Sequence, residues 1–295
     1  KRDIDVVKAV ILGGDPTETT TWTDALEAIS GVEDIYNVVP LTDLQAVKDA
    51  VVAHVADESL AESGAYRAAI LSLTAPTALD VRVLDDSDDV ILAKLVQDPS
   101  VTSTSYSMIL VESGTPNFVT SGVRAGDTVR YFYTTDGFGG ETYTEFTVES
   151  VESEDSLILT TANDTAVNVA QKMEVVRYPT KSEIVADLID QAEAYSNRRV
   201  VAVWPDSIGD SGETVSGYYL AAAIAGLIGS IAPHQGITNV EVLGFDDVPR
   251  SKTFFNNSQL QDLSDGGVFV VSQAPDSTVY VRKAVTTEVS GIENR

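Results

Sequence analysis

Apolar residues in this chain come in short blocks whose period changes along its length. Residues 6–12 (VVKAVIL) read as a buried strand, closed by a Gly13-Gly14-Asp15-Pro16 turn. A helix is expected next, with Thr23 at its cap and Ala25, Leu26 and Ile29 facing inward. Residues 34–40 form the second strand. Thr42 and Gln45 have capping-box spacing for a helix whose Leu44, Val47, Val51 and Val55 share one face. Residues 66–73 form a third strand. Strand and helix alternate, which predicts an α/β unit with a parallel sheet.

Around residues 74–80 the pattern changes. Residues 88–97 could form a short helix, with Val90, Ile91, Leu95 and Val96 on one face. Short β runs follow at 106–112 and at 127–134, the latter entered through an Arg124-Ala125-Gly126 turn. Residues 136–140 (DGFGG) make a hairpin-type turn. Residues 142–151 alternate, with Phe146 and Val148 on one face and Tyr143, Glu145, Thr147 and Glu149 on the other. Runs at 157–160 and 173–176 complete a small antiparallel barrel or sandwich over residues 77–180.

The α/β pattern then resumes. Ser182 is expected to cap a helix with Ile184, Val185, Leu188, Ile189 and Ala192 inside, and residues 199–204 form a strand. Residues 215–242 contain the longest apolar run. Ser216 is placed at the N-cap of its helix, Tyr219, Ala222, Ala223, Gly226, Leu227 and Ser230 recur at helical spacing, and Pro233 ends the run. The run is shorter than the roughly twenty residues of a membrane span, so a central core helix is expected. A strand at 240–243, a helix at 258–263 stopped by Gly266-Gly267, and strands at 268–272 and 278–284 follow. The economical organisation is one α/β domain, residues 1–76 and 181–295, carrying residues 77–180 as an insertion at an exposed loop.

Charge narrows the partners. The 45 acidic residues outnumber 19 basic ones, a formal net charge of −26. That opposes nucleic-acid binding and attachment to an anionic membrane, and it builds self-repulsion into any assembly. No cysteine is present, which excludes disulfides, thiolate catalysis and Cys-ligated zinc. Gly13-Gly14 lacks the remaining residues of a dinucleotide or P-loop fingerprint and is read as a structural turn. His54 and His234 are the only histidines, and neither a G-x-S-x-G elbow nor an H-E-x-x-H motif occurs. Asp85-Asp86, Asp88-Asp89 and Asp246-Asp247 are read as solvated charge runs. No cofactor is expected. The chain starts at Lys1 rather than Met, and we expect a product trimmed from a longer protein. In so acidic a chain the basic residues Arg198, Arg199, Arg250, Lys252, Arg282 and Lys283 are candidates for contact with an acidic neighbour, with local ion pairing as the alternative.

The order of motifs in the last third resembles the tail sheath proteins of contractile-tailed bacteriophages and related injection machines. The motifs are residues 200–205 (VVAVWP), 218–230 (YYLAAAIAGLIGS), 233–239 (PHQGITN), 258–263 (SQLQDL), 267–271 (GVFVV) and 279–287 (VYVRKAVTT), the last carrying Arg282, Thr286 and Thr287. Residues 38–42 (VVPLT) and 50–54 (AVVAH) are also compatible, whereas residues 77–180 carry no such resemblance.

The resemblance implies a structural protein with a degenerate, non-catalytic, subtilisin-like α/β core. It implies no enzymatic activity, helical polymerisation around a tail tube protein, and contraction that drives the tube through the host envelope. Copies would join through terminal arms, and the protein would reside in the virion tail after assembly in the host cytoplasm, without membrane insertion. Family members continue past the Thr-Thr strand, so a chain ending at Arg295 is expected to lack part of the assembling apparatus. Two other readings stay open: an α/β hydrolase or carbohydrate-active enzyme with an accessory β module, and an acidic surface-layer or adhesion protein.

Overall fold

The computed structural model describes residues 8, 14–60, 65–76, 79–80, 92–97, 106–114, 116–135, 141–163, 167–231, 236–245, 247–248 and 254–288. In chain order its elements begin with α1 (Thr19–Ser30), β1 (Asn37–Val38), α2 (Gln45–Glu58) and β2 (Ala68–Ser72). Then come β3 (Leu79–Asp80), β4 (Leu92–Gln97), β5 (Tyr106–Ser113), β6 (Thr128–Thr135), β7 (Glu141–Ser153), β8 (Ser156–Asn163) and β9 (Val167–Arg177). The last group is α3 (Lys181–Tyr195), β10 (Val200–Trp204), β11 (Ser207–Asp210), β12 (Glu213–Ser216), α4 (Gly217–Ser230), α5 (Asn257–Asp265), β13 (Val268–Gln273) and β14 (Val279–Lys283). The chain divides into two compact units, residues 1–75 with 181–295 and residues 76–180.

The first unit is mixed α/β. Its sheet runs β1-β2-β10-β13-β14, with β1, β2, β10 and β13 parallel and β14 antiparallel to β13. The central strands AAILS, VVAVW and VFVVSQ are almost continuously apolar because helices cover both faces. Ile70, Val201, Val203, Phe269, Val271, Val279 and Val281 point to the α4 side and pack on Leu220, Ala221 and Ile224. Their neighbours Ala69, Leu71, Val200, Ala202, Trp204, Val268 and Val270 point the other way, onto α2, α3 and α5.

Several local expectations are corrected. The helix α1 starts before Thr23, whose hydroxyl donates back to the carbonyls of Thr19 and Thr20; the chain is turned into the helix by the Asp15 carboxylate, which accepts from Thr17. In α2 the first helical residue is Gln45 itself, and Thr42 accepts from Leu44 instead of closing a capping box. Ser182 lies inside the first turn of α3. The reciprocal capping box belongs to α5, where Asn256 and Gln259 exchange side-chain and backbone bonds. Residues 92–97 are strand, not helix: Ala93 and Leu95 face the core, a period of two. Residues 240–243 make only one isolated bridge, Glu241 to Tyr280. The runs at 6–12, 88–91 and 136–140 lie outside the described residues.

The helix α4 is not buried all round. Gly217, Leu220, Ala221 and Ile224 form its buried stripe at i, i+3, i+4 and i+7, while Tyr219 is 47% exposed. Gly217 sets the close approach, since a Cβ there would lie 2.8 Å from the Asp206 backbone and the Pro205 carbonyl. The preceding β11–β12 hairpin, unread in the sequence, turns at Ser211-Gly212, both at positive φ. Among the described residues no helix is long and apolar enough to cross a membrane.

The outer edge of β14 is covered from within. Asn239 N donates to Val281 O, Val281 N to Val240 O and Val242 N to Val279 O, at 2.7–2.9 Å. This irregular strap, carrying the charged Glu241, leaves little open backbone over Val279–Val281.

In the second unit the pairings β9–β4–β5–β8–β7–β6–β9 form a closed circuit, with β3 beside β9. The first half of β9 pairs with β4 and its second half with β6, so one long strand closes the ring. Leu95, Ile109, Phe118, Val129, Tyr131, Phe146, Val148, Leu157 and Val175 fill the core. Tyr131 donates to Ala93 O at 2.9 Å, and burial pushes its phenol up to about 12. At one end Asp127 accepts from Arg177 Nε and Nη2 at 2.7 and 2.8 Å and from the Arg124 N–H at 3.0 Å, tying the 122–127 turn to β9.

Candidate functional site

Three groups of side chains in the first unit could carry function. The first lies where the parallel strands end. Asp43 accepts from Ser72 Oγ at 3.1 Å and Ser216 Oγ at 2.7 Å, tying the segment before α2 to β2 and to the start of α4. Lys48 is buried beside it, with Nζ 3.2 Å from Thr74 Oγ1 and 4.0 Å from Asp43 Oδ1. Burial pulls its ammonium pKa down, and the carboxylates of Asp43, Asp206 and Asp49 only partly offset this. Asp206 accepts from the Ala75 N–H at 3.1 Å. Open α/β sheets bind ligands at this end. Here Asp43 holds both serines, Lys48 donates to Thr74, and among the described residues no histidine joins them.

The second group is around Arg67, which is fully buried. Its Nη2 donates to the carbonyls of Ile29, Ser30 and Val32 at 2.8–3.1 Å, and its Nη1 bonds to His54 Nε2. An arginine can only donate, so Nε2 must be the unprotonated nitrogen and the imidazole is neutral. Burial and the Arg67 charge pull the His54 pKa below its usual 6.5, against Glu58 and Asp57. His54 is therefore a structural acceptor, not a catalytic base. Below pH 6.5 the unfolded chain binds a proton that the folded chain does not, so stability is full above that pH and falls as pH drops. Between pH 7.5 and 5.5 the melting temperature of the wild type is expected to fall further than that of His54→Gln, which keeps an acceptor without titrating. Equal slopes would refute this role.

His234 and the Asp85–Asp89 run lie outside the described residues, as do Gly13 and Asp246. Asp247 is used structurally, its carbonyl accepting from Gly209 N at 2.7 Å. Asp15 is committed to Thr17, whose hydroxyl and N–H hold its carboxyl below the usual range. Among the described residues no group of three or more His, Asp or Glu could hold a metal.

The third group is basic, and its first two members, Arg198 and Arg199, sit at the opposite end of the sheet. After α3, Ser196 at positive φ turns the chain, and Asn197 Oδ1 accepts from Arg199 N at 2.9 Å. Thr287, 1% exposed, locks this turn: its hydroxyl accepts from Asn197 N and donates to Asn197 O, and its N–H reaches Val200 O at 3.0 Å. The segment after β14 therefore crosses the start of β13, where a Cβ on Gly267 would lie 3.2 Å from Thr287 Cα. Arg282 is the extra residue of a bulge, between the pairs Val271–Val281 and Val270–Lys283. Arg198 and Arg199 precede β10, whereas Arg282 and Lys283 lie beside Val270 and Val271, level with Trp204 at the other end of β10, and Arg250 and Lys252 lie outside the described residues. Two of the four are engaged internally. The Arg199 guanidinium lies 5.0 Å above the Tyr66 ring, and Lys283 Nζ is 2.6 Å from Asp265. The sequence offered no sign of the Thr287 clamp beyond the Thr-Thr pair itself.

The family model for the phage tail sheath protein central domain matches residues 124–287, more than half of the chain. The chain belongs to the phage tail sheath family. The match ends on the clamp residue Thr287 and begins in the Arg124 turn of the second unit. It therefore extends into residues 124–180, where the sequence motifs alone carried no resemblance. A sheath protein of this family is structural and not enzymatic. Two solved structures are similar. One is the sheath tail protein from Desulfitobacterium hafniense, at 12% identity, covering 68% of this chain and 58% of that one, with a TM-score of 0.30. The other is the sheath tail protein from Listeria innocua, at 10% identity, 68% and 56% coverage, and a TM-score of 0.28. The chain spans just over half the length of each. No curated protein matches the sequence.

Proposed function

We propose that this sheath-family protein polymerises helically around a tail tube and contracts to drive the tube through the host envelope. The match to the sheath central domain over residues 124–287 is the observation that carries this reading. The site of action is the virion tail, built in the host cytoplasm, with further copies of the chain and a tube protein as partners. The first unit serves as a degenerate subtilisin-like core, and the second as a barrel inserted into it. Arg198, Arg199, Arg250, Lys252, Arg282 and Lys283 are the candidate subunit contacts.

Joining through terminal arms would use strand addition at a sheet edge. The strap over Val279–Val281 bears on where. An arm adding at the β14 side must pair with the strap or replace it. Contraction would be a rigid-body rearrangement of subunits about those arms. A heterologous contact that does not close generates a tube. Negative-stain microscopy of the full-length protein is expected to show tubes at high concentration. Monomers that persist at high concentration and across salt levels would overturn the proposal.

A further inference from the structure

We propose that the outer face of β6, β7 and β9, centred on Arg130, Tyr143 and Tyr178, binds a neutral polysaccharide. This inference goes beyond the assembly reading and does not depend on it.

The face is one array on three neighbouring strands. Arg130 of β6 stands opposite Glu145 of β7 and Glu174 of β9, and Phe132 of β6 stands opposite Tyr143 of β7. The alternate residues Val129, Tyr131, Phe146, Met173 and Val175 fill the core, so the array points outward. The solvent face of an antiparallel sheet is ordinarily polar. Here it carries aromatic rings held in place by charges. Arg130 Cζ lies 5.2 Å from the centre of the Tyr143 ring and 5.9 Å from that of Tyr178, which follows β9. Arg130 Nε donates to Glu145 at 3.1 Å and Nη2 to the Tyr178 hydroxyl at 3.0 Å, and that hydroxyl donates to Glu145. Phe132 packs on Tyr143 with ring centres 5.4 Å apart, and Lys172, paired with Glu174, covers Phe132. Cross-strand pairing accounts for the order of these rings. It does not account for Tyr143 and Tyr178 remaining 43% and 45% exposed, because a ring left in water gains little from burial.

Charge and shape select the ligand. On this array the cations Arg130 and Lys172 are matched by Glu145 and Glu174, so their charges cancel. A single-stranded nucleic acid also stacks on aromatic rings, but it needs a surplus of cations that the array lacks. An apolar helix would bury four charged side chains, at a cost in desolvation. A neutral sugar meets both parts of the face. Its C–H surface packs on the flat of a tyrosine ring by dispersion. Its hydroxyls donate to the carboxylates and accept from the guanidinium and the phenols. Arg130 reaches both tyrosines, so the two rings are fixed within the span of one oligosaccharide, which suits successive sugars of a chain. Side chains ordered in advance lower the entropy lost on binding.

The test titrates the full chain with cellohexaose, chitohexaose and maltohexaose by calorimetry. At least one is expected to bind, and Tyr143→Ala with Tyr178→Ala is expected to weaken that probe at least tenfold. Tyr36→Ala with Tyr219→Ala removes two tyrosines of the other unit that are at least as exposed, and is expected to change the affinity less than twofold. Hydroxyl-radical footprinting of the wild type requires no variant to fold. With the bound probe present, oxidation of Tyr143 and Tyr178 is expected to fall at least threefold while that of Tyr36 and Tyr219 holds. No binding of any probe at millimolar concentration, equal losses in the two double variants, or no protection at Tyr143 and Tyr178 would overturn the proposal. Displacement of the sugar by oligothymidylate would overturn it in favour of a nucleic-acid face. Each of these results leaves tube assembly standing.

Discussion

Replacing Arg67 with alanine is expected to cost the 1–75/181–295 unit roughly 3–5 kcal/mol, the range found when one partner is removed from a buried charged network. Arg67 has no exposed surface, and this one side chain, just before β2, reaches the end of α1 and the imidazole on α2. Glu58, with Oε2 3.9 Å away, would be left largely buried without its cation. Lysine is not expected to rescue, because a single ammonium cannot reproduce a planar fork that spans three carbonyls and a ring nitrogen. The only tryptophans, Trp22 and Trp204, both lie in this unit, and Trp204 is fully buried, so tryptophan fluorescence during urea unfolding follows it selectively. A loss under about 1 kcal/mol would contradict the role assigned to Arg67.

Asp127→Asn is expected to cost the 76–180 unit about 3 kcal/mol. The carboxylate is 2% exposed, bonded bidentately to Arg177 and also to the Arg124 N–H. Asparagine keeps the shape but offers one acceptor and no charge, leaving a guanidinium that is itself only 23% exposed. Arg177 Nη2 also donates to Gly122 O at 2.9 Å, so the 122–127 turn is expected to loosen with the pair. Hydrogen exchange in β6 and β9 should accelerate while the tryptophan-detected transition stays in place. Adding Arg177→Gln is expected to cost less than a second 3 kcal/mol, since the unpaired charge is then removed; full additivity would show that the two side chains do not act as a pair.

Periodicity carried much of the fold because burial leaves a direct trace in the residue pattern. The runs AAILS, VVAVW and VFVVSQ could only be satisfied with helices on both faces. In β7, Phe146 and Val148 alternate with the exposed Tyr143 and Glu145, as a half-buried strand requires. The failures were local. Thr23, Thr42 and Ser182 are all cap-type residues near a helix start, yet which of them caps depends on where the preceding turn delivers the chain. Residues 92–97 contain Leu92, Leu95 and Val96 at spacings compatible with either period, and pairing with β5 and β9 decided the matter.

The basic residues were legible only as composition. Six residues were candidates on scarcity alone, and nothing in their spacing distinguished Arg199, stacked on Tyr66, from Arg198 beside it. The buried Arg67 was missed, because an arginine before an apolar run reads as a strand flank. The Asp43–Ser72–Ser216 cluster joins residues far apart in the chain, so no local pattern could reveal it.

The sequence by itself determined the alternation of strands and helices, the acidic surface with its few cations, and a motif order that pointed to the sheath family. These depend on residue type and short-range spacing, which burial and charge imprint along the chain. Only the tertiary structure decided which polar groups meet. Arg67 capping α1, Asp127 gripping Arg177, the strap on β14 and Thr287 locking the turn before β10 all join distant segments. Such bonds form only after the apolar faces have packed and removed the water that would otherwise satisfy them.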